Sequence, residues 1–283
     1  MENIEKLYNI TFNVEYHKNY GDIILSIFEN GNLNYDLTDN KILNILGLYY
    51  RHKIKNYNEM KKYYLMAIKL NNSDAMTNLG CYYQDIEINY DEMKKYYLMA
   101  IELNNSNAMN NLGYYYQYNE KNYDEMKKYY LMAIELNNVS AMCNLGIYYK
   151  NIEKNYDKMK KYYLMAIELN NYYAMCNFAL YYQHIEKNYD EMKKYYLMAI
   201  ELNYNYSLTQ FCNFYKIEIQ LQHYLLRQIN SKIAIEKVKE LEENNFLGVK
   251  IFKELTEYCF NPQRLLKLCN MYNVEFNEYM DII

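Results

Sequence analysis

The chain has 283 residues, 51% of them hydrophobic, with 31 basic against 35 acidic side chains and a net charge of −4. That balance argues against broad electrostatic binding to nucleic acid, which needs a basic face, and leaves room only for a short local basic patch. No stretch approaches the ~20 apolar residues that cross a bilayer.

The 40 tyrosines, single proline and absence of tryptophan fit an AT-rich coding bias joined to a thin core. A tyrosine can bury its ring while its hydroxyl reaches water. The opening residues, Met1 to Lys6, have neither a basic start nor a following apolar run. No secretory signal is expected there, and the expected setting is intracellular and cytoplasmic. The stretch Ile23 to Phe28 predicts a helix ending near Asn30-Gly31, which would cap the front of the helices after it.

From Lys41 the chain repeats. The peptide Met-Lys-Lys-Tyr-Tyr-Leu-Met-Ala-Ile starts at Met60, Met93, Met126, Met159 and Met192, each copy 33 residues after the last. Strict self-similarity at this period predicts a solenoid of helix pairs that bury their apolar faces against one another. In the copy beginning at Asp74, Ala75, Leu79, Tyr82 and Tyr83 recur at helical spacing, so a first helix (A) is expected over Asp74 to Asp85. A second (B) is expected over Tyr90 to Leu103, with Met93, Tyr96, Tyr97, Ala100 and Ile101 as its apolar stripe.

Asp91 and Glu92 lie in the first turn of B, where the helix dipole favours negative charge. Asn104-Asn105 should end it, because asparagine tolerates the left-handed conformation. The lysine pairs, such as Lys94-Lys95, read as solvated partners of acids three and four residues away. Gly80 interrupts helix A at a cost of ~1 kcal/mol relative to alanine. Its return as Gly47, Gly113 and Gly146, and as Ala179 in the fifth copy, predicts close approach of a neighbouring helix.

Five pairs are thus expected, starting near Lys41, Asp74, Asn107, Ser140 and Tyr173, with a sixth helix A from Tyr206 carrying Phe211, Phe214 and Tyr215 in core positions. Beyond Glu218 the repeat is lost. Further amphipathic helices are expected there, one of them opened by Asn261-Pro262. The expected organisation is 1–40 as an N-terminal helical cap, 41–216 as the array and 217–283 as a C-terminal helical region. The expected fold is all-α: a right-handed α-solenoid of stacked antiparallel helix pairs with helical caps at both ends.

These residues resemble the Sel-one-like repeat family, relatives of the tetratricopeptide repeats. Ala108-Met109-Asn110-Asn111-Leu112-Gly113 and Tyr116 match the family's helix A pattern, and Asn122-Tyr123, Tyr129-Tyr130 and Ala133-Ile134 match its helix B pattern. Two departures affect turn geometry. Gln117 to Asn122 is shorter than the family's loop and lacks its Gly and Pro, and Asn137 replaces the glycine that usually ends helix B. More loosely, the Tyr- and Asn-rich wording resembles repeat proteins of giant DNA viruses, for which the cytoplasm would be the host's.

The resemblance implies that the variable positions of helix A line a concave groove for a partner. Two residues before the repeat Leu or Phe stand Asn44, Thr77, Asn110, Cys143 and Cys176; two after it stand Leu48, Cys81, Tyr114, Ile147 and Leu180. Five after it stand Arg51, Gln84, Gln117, Lys150 and Gln183. Variation here against a constant packing face is what a partner-reading surface would show, and also what drift after duplication would leave. Asn78, Asn111, Asn144 and Asn177 recur just before the repeat Leu or Phe. Their amides could hold a peptide backbone or satisfy neighbouring helices in a ladder. Tyr114, Tyr118 and Tyr173 would add aromatic anchors.

No phosphate loop, nucleotide-binding glycine motif, zinc-protease motif or nucleophile elbow is present, so no enzyme, cofactor or metal is expected. His17, His52, His184 and His223 are scattered, and the six cysteines show no C-x-x-C pair. Reduced thiols are expected. The leading expectation is therefore a non-catalytic scaffold that binds a peptide or protein segment, with no nucleic acid and no membrane. Two alternatives stay open: an adaptor whose C-terminal helices recruit cellular machinery such as a ubiquitin-ligase component, and a structural homo-oligomer.

Overall fold

The computed structural model describes residues 4, 5, 7, 14–202 and 205–214. The chain divides into two compact units, one ending at Tyr148 and the other beginning at Tyr149. In the first unit the helices are α1 (Val14–Asn30), α2 (Asn40–Tyr49), α3 (Tyr57–Lys69), α4 (Ser73–Asp85), α5 (Tyr90–Glu102), α6 (Ser106–Tyr115), α7 (Tyr123–Glu135) and α8 (Val139–Tyr148). In the second they are α9 (Tyr156–Glu168), α10 (Tyr172–Tyr181), α11 (Tyr189–Glu201) and α12 (Asn205–Phe214). The described residues form no strand. In each unit successive antiparallel helix pairs stack as an α-solenoid, the expected all-α class.

Each helix B carries the same buried column: in α5 these are Met93, Tyr97 and Ala100, in α7 Met126, Tyr130 and Ala133. Helix A answers with Ala108, Leu112 and Tyr115 in α6. The recurring glycine is explained by that column. A methyl group on Gly80 would stand 2.6 Å from the Tyr97 ring, and one on Gly113 2.7 Å from the Tyr130 ring. Gly47 meets Tyr64 in the same way. The close approach is made by the tyrosine of the partner helix rather than by its backbone.

Asparagine sets both ends of the pairs. Asn56, Asn89 and Asn122 cap α3, α5 and α7 by accepting from the amide three residues on. Asn71, Asn104 and Asn137 then end these helices with φ of 56–57°, and each following amide bonds back to the alanine carbonyl five residues earlier, as from Asn105 to Ala100 at 3.1 Å. A third set does two jobs. Asn105 caps α6 through Oδ1 and donates through Nδ2 to Ser73 and Asp74 at the start of the preceding helix A.

The A-to-B connection, expected as a loop, begins as a π turn. It covers Tyr50–Ile54, Tyr116–Glu120, Tyr149–Glu153 and Tyr182–Glu186 and is followed by a lysine in the left-handed region, as at Lys121 with φ 54°. The wide turn brings Glu120 within reach of Lys94 and lets Tyr116 stack on Tyr129, 5.6 Å between ring centres. At the front, Ile24, Ile27 and Phe28 of α1 are buried against Ile42, Ile45 and Tyr49, and Gly31 at φ 67° ends that helix. Phe211 of α12 is fully buried. Tyr215 and the helices expected beyond it, including the one opened by Pro262, lie outside the described residues.

Candidate functional site

With helix B consumed in packing, the variable chemistry lies on the A helices. In the first unit these are α2, α4, α6 and α8, and along this face the recurring asparagines have different partners. Asn78 Nδ2 donates to Asn44 Oδ1 at 3.0 Å, and Asn144 Nδ2 to Asn110 Oδ1 at 3.0 Å. Asn111 Nδ2 instead points to the Cys81 sulfur at 3.4 Å while its Oδ1 accepts from Asn110. In the second unit Asn177 donates to the Tyr173 carbonyl one turn back in α10. Thr77 is buried and its hydroxyl donates to the Ser73 carbonyl, so it belongs to the floor of this face.

The row five residues after the repeat Leu or Phe is built on the buried tyrosines. Tyr130 OH donates to Gln117 Oε1 at 2.9 Å, Tyr97 OH lies 3.2 Å from Gln84 Oε1, and in the second unit Tyr196 OH donates to Gln183 Oε1 at 2.9 Å. Burial pushes the phenols of Tyr97, Tyr130 and Tyr196 well above the usual range, so they stay protonated donors. Of these glutamines Gln84 and Gln183 are partly exposed, whereas Gln117 is buried. Sequence reasoning placed the glutamines on this face but missed their anchors. The readable signal was the constant offset of 13 residues between each glutamine and its tyrosine.

The first member of the row is Arg51. Its Nη1 donates to the Asn78 carbonyl at 3.1 Å and its Nη2 lies 3.6 Å from the Asp85 carboxylate. Gln84 Nε2 donates to the same carboxylate at 3.2 Å, so Asp85 already occupies this end of the face. Further along, Tyr114 and Tyr118 stand exposed one turn apart on α6 and its π turn, their ring centres 4.4 Å apart at 41°. Ile147 is partly exposed on α8.

In the second unit Tyr173 is exposed, and Lys150 is half-buried on the π turn after α8. Burial pushes the Lys150 ammonium below its ordinary pKa, partly countered by the nearby Cys176 thiol. Cys143 is buried in the first unit, its thiol pushed up to about 12 by burial. Among the described residues no group of three His, Cys, Asp or Glu side chains could hold a metal ion, and no helix is long and apolar enough to cross a membrane.

No protein-family model matches the sequence, and no curated protein matches it. Solved structures do. A Sel1 repeat protein from Oxalobacter formigenes superposes with a TM-score of 0.54 at 20% identity, over 76% of this chain and 89% of that one. This chain has the Sel1-repeat fold. A second structure with an SLR fold, the protective antigen c5321 of uropathogenic Escherichia coli, superposes with a TM-score of 0.52 at 18% identity, over 83% of this chain and 57% of that one. Both likenesses concern the Sel1-repeat fold, and the side chains of the A helices are this chain's own.

Proposed function

We propose that the protein is a non-catalytic interaction scaffold that holds an extended peptide or protein segment along the faces of its A helices, in an intracellular, cytoplasmic setting. One observation supports this reading above others. The row of Gln84, Gln117 and Gln183 is held by buried tyrosine hydroxyls, so its members are oriented before any ligand arrives. Gln183, partly exposed, then offers an Nε2 donor at little ordering cost, whereas Gln117 is buried; a segment's backbone carbonyls are suitable acceptors. Tyr114 and Tyr118 supply rigid rings beside Gln117. Asn78 and Asn144 already donate to neighbouring helices, so the exposed tyrosine pair is the sharper target for mutation.

The test is hydrogen exchange on the full chain with a captured partner. Slowed exchange centred on α4, α6 and α8 of the first unit, with capture lost in Tyr114→Ala/Tyr118→Ala at unchanged helicity and melting, is the expected result. Capture that survives this variant but fails on truncation after Lys216 would move recognition to residues 217–283. A mass that grows with concentration would favour self-association.

A further inference from the structure

Arg51 and Lys150 hold the same place in their repeats, five residues after Leu46 and Leu145. In the first unit the residue 34 positions after Arg51 is Asp85, whose carboxylate lies 3.6 Å from the guanidinium. In the second unit the residue 34 positions after Lys150 is His184, which offers no carboxylate. The carboxylate of the following π turn, Glu186, is taken by Lys160 and by the Tyr181 hydroxyl. Lys150 accordingly stands half-buried with no ion pair among the described residues, facing the buried Cys176 thiol and the like charge of Lys154. A cation partly removed from water is stabilised by an anion that replaces part of its lost hydration.

We propose that Lys150 receives a side-chain carboxylate from an acidic, extended segment of a partner protein lying across the A helices of the second unit. Arg51 with Asp85 displays, within one chain, the contact that this segment completes at Lys150. The next donor along the row is Gln183 Nε2, one repeat further on. Neighbouring helices lie about 8–10 Å apart, and three residues of extended chain span about 10 Å. The favoured segment therefore has Asp or Glu at one position and an acceptor three residues away. This inference rests on the proposed groove reading and gives it a ligand chemistry.

The experiment selects displayed random peptides on the full chain and measures the winners, made with amidated C-termini, by fluorescence anisotropy against Lys150→Met, His184→Asp and Lys187→Asn. His184→Asp leaves Lys150 in place but restores an internal carboxylate, so it should block the site from within. The expected result is enrichment of acidic peptides, with affinity reduced roughly tenfold or more by Lys150→Met and by His184→Asp, and less than about twofold by the exposed control Lys187→Asn. Glu→Gln in the peptide should cost the wild type a similar factor and cost Lys150→Met nothing further.

Peptides that bind wild type and Lys150→Met alike would overturn the proposal and leave the groove reading standing. No enriched peptide at all would remove both. Affinity lost on amidation but indifferent to Glu→Gln would assign the carboxylate to a chain terminus and overturn the side-chain proposal.

Discussion

At Gly113 a methyl group would stand 2.7 Å from Tyr130 Cδ1, against the flank of a buried ring that has no free end to swing away. Gly113→Ala gains ~1 kcal/mol of helix propensity and loses about 1–3 kcal/mol to overpacking. A net loss is expected, read as a lower urea midpoint at unchanged m-value. Ile88 runs the other way. It sits at φ 53° where Lys55, Lys121, Lys154 and Lys187 occupy the same turn, and a β-branched side chain is strained in the left-handed region. Ile88→Asn should stabilise the chain by about 1 kcal/mol in the same titration. The glycine was legible in the sequence because it recurred against its own propensity. The strain at Ile88 was not, since nothing in the residue types marks a turn whose conformation is imposed by the helices on either side.

Along helix B the two lysines of each copy part company. Lys62, Lys95, Lys128 and Lys194 pair with a glutamate three residues back, as expected from spacing. Lys61, Lys94 and Lys160 turn instead to Glu87, Glu120 and Glu186 in the next repeat, where those acids also accept from Tyr82, Tyr115 and Tyr181. Helical spacing alone could not reveal this, because Glu120 and Glu186 are positioned by a π turn that sequence reasoning took for a plain loop, and Glu87 by the turn that follows α4. The bond from Lys94 holds the Glu120 carboxyl below its ordinary pKa, and the bond to Glu120 raises Lys94 despite burial. Glu120 therefore contributes stability above about pH 4.5 that is lost as pH falls through its lowered folded value. Lys94 contributes stability below about pH 10.4 that is lost as pH rises through its raised one.

In Glu120→Gln the acid-side loss should shrink, and stability at neutral pH should fall by about 0.2–1 kcal/mol. Urea titrations at several pH values, with Lys94→Met completing a double-mutant cycle, check both. Asn105 carries a heavier duty at the other end of the pair, capping α6 and reaching Ser73 and Asp74. Asn105→Ala should cost about 0.5–2 kcal/mol, towards the upper end because a link between repeats goes with the cap.

The 33-residue period by itself predicted stacked helix pairs, and the Sel1-repeat fold is what the chain adopts. The polar wiring of the A helices was less legible. Asn78, Asn111, Asn144 and Asn177 share one register yet donate to an asparagine, a cysteine, an asparagine and a backbone carbonyl. The first three reach a residue that varies on the preceding repeat and Asn177 bonds within its own helix, so no rule written for one copy covers the next. In such arrays stability is close to a sum of repeat and neighbour contributions. The Gly113→Ala lesion should then speed amide exchange most in α6 and α7, less in α5 and α8, and least in α1. Uniform acceleration across the first unit would show it to unfold as one block.

The five identical copies of the helix B core peptide leave a refolding chain with an ambiguity that its packing surfaces cannot resolve. Any helix A finds the same tyrosine and the same methionine on every helix B, so a mispaired helix is nearly as content as a correct one. Discrimination falls to tether length, because closing a short turn costs less entropy than looping out a whole repeat. Order in this protein is remembered by adjacency. Lengthening the turn between α6 and α7 with a flexible insert should therefore lower refolding yield far more than it lowers equilibrium stability, through trapped, out-of-sequence pairings.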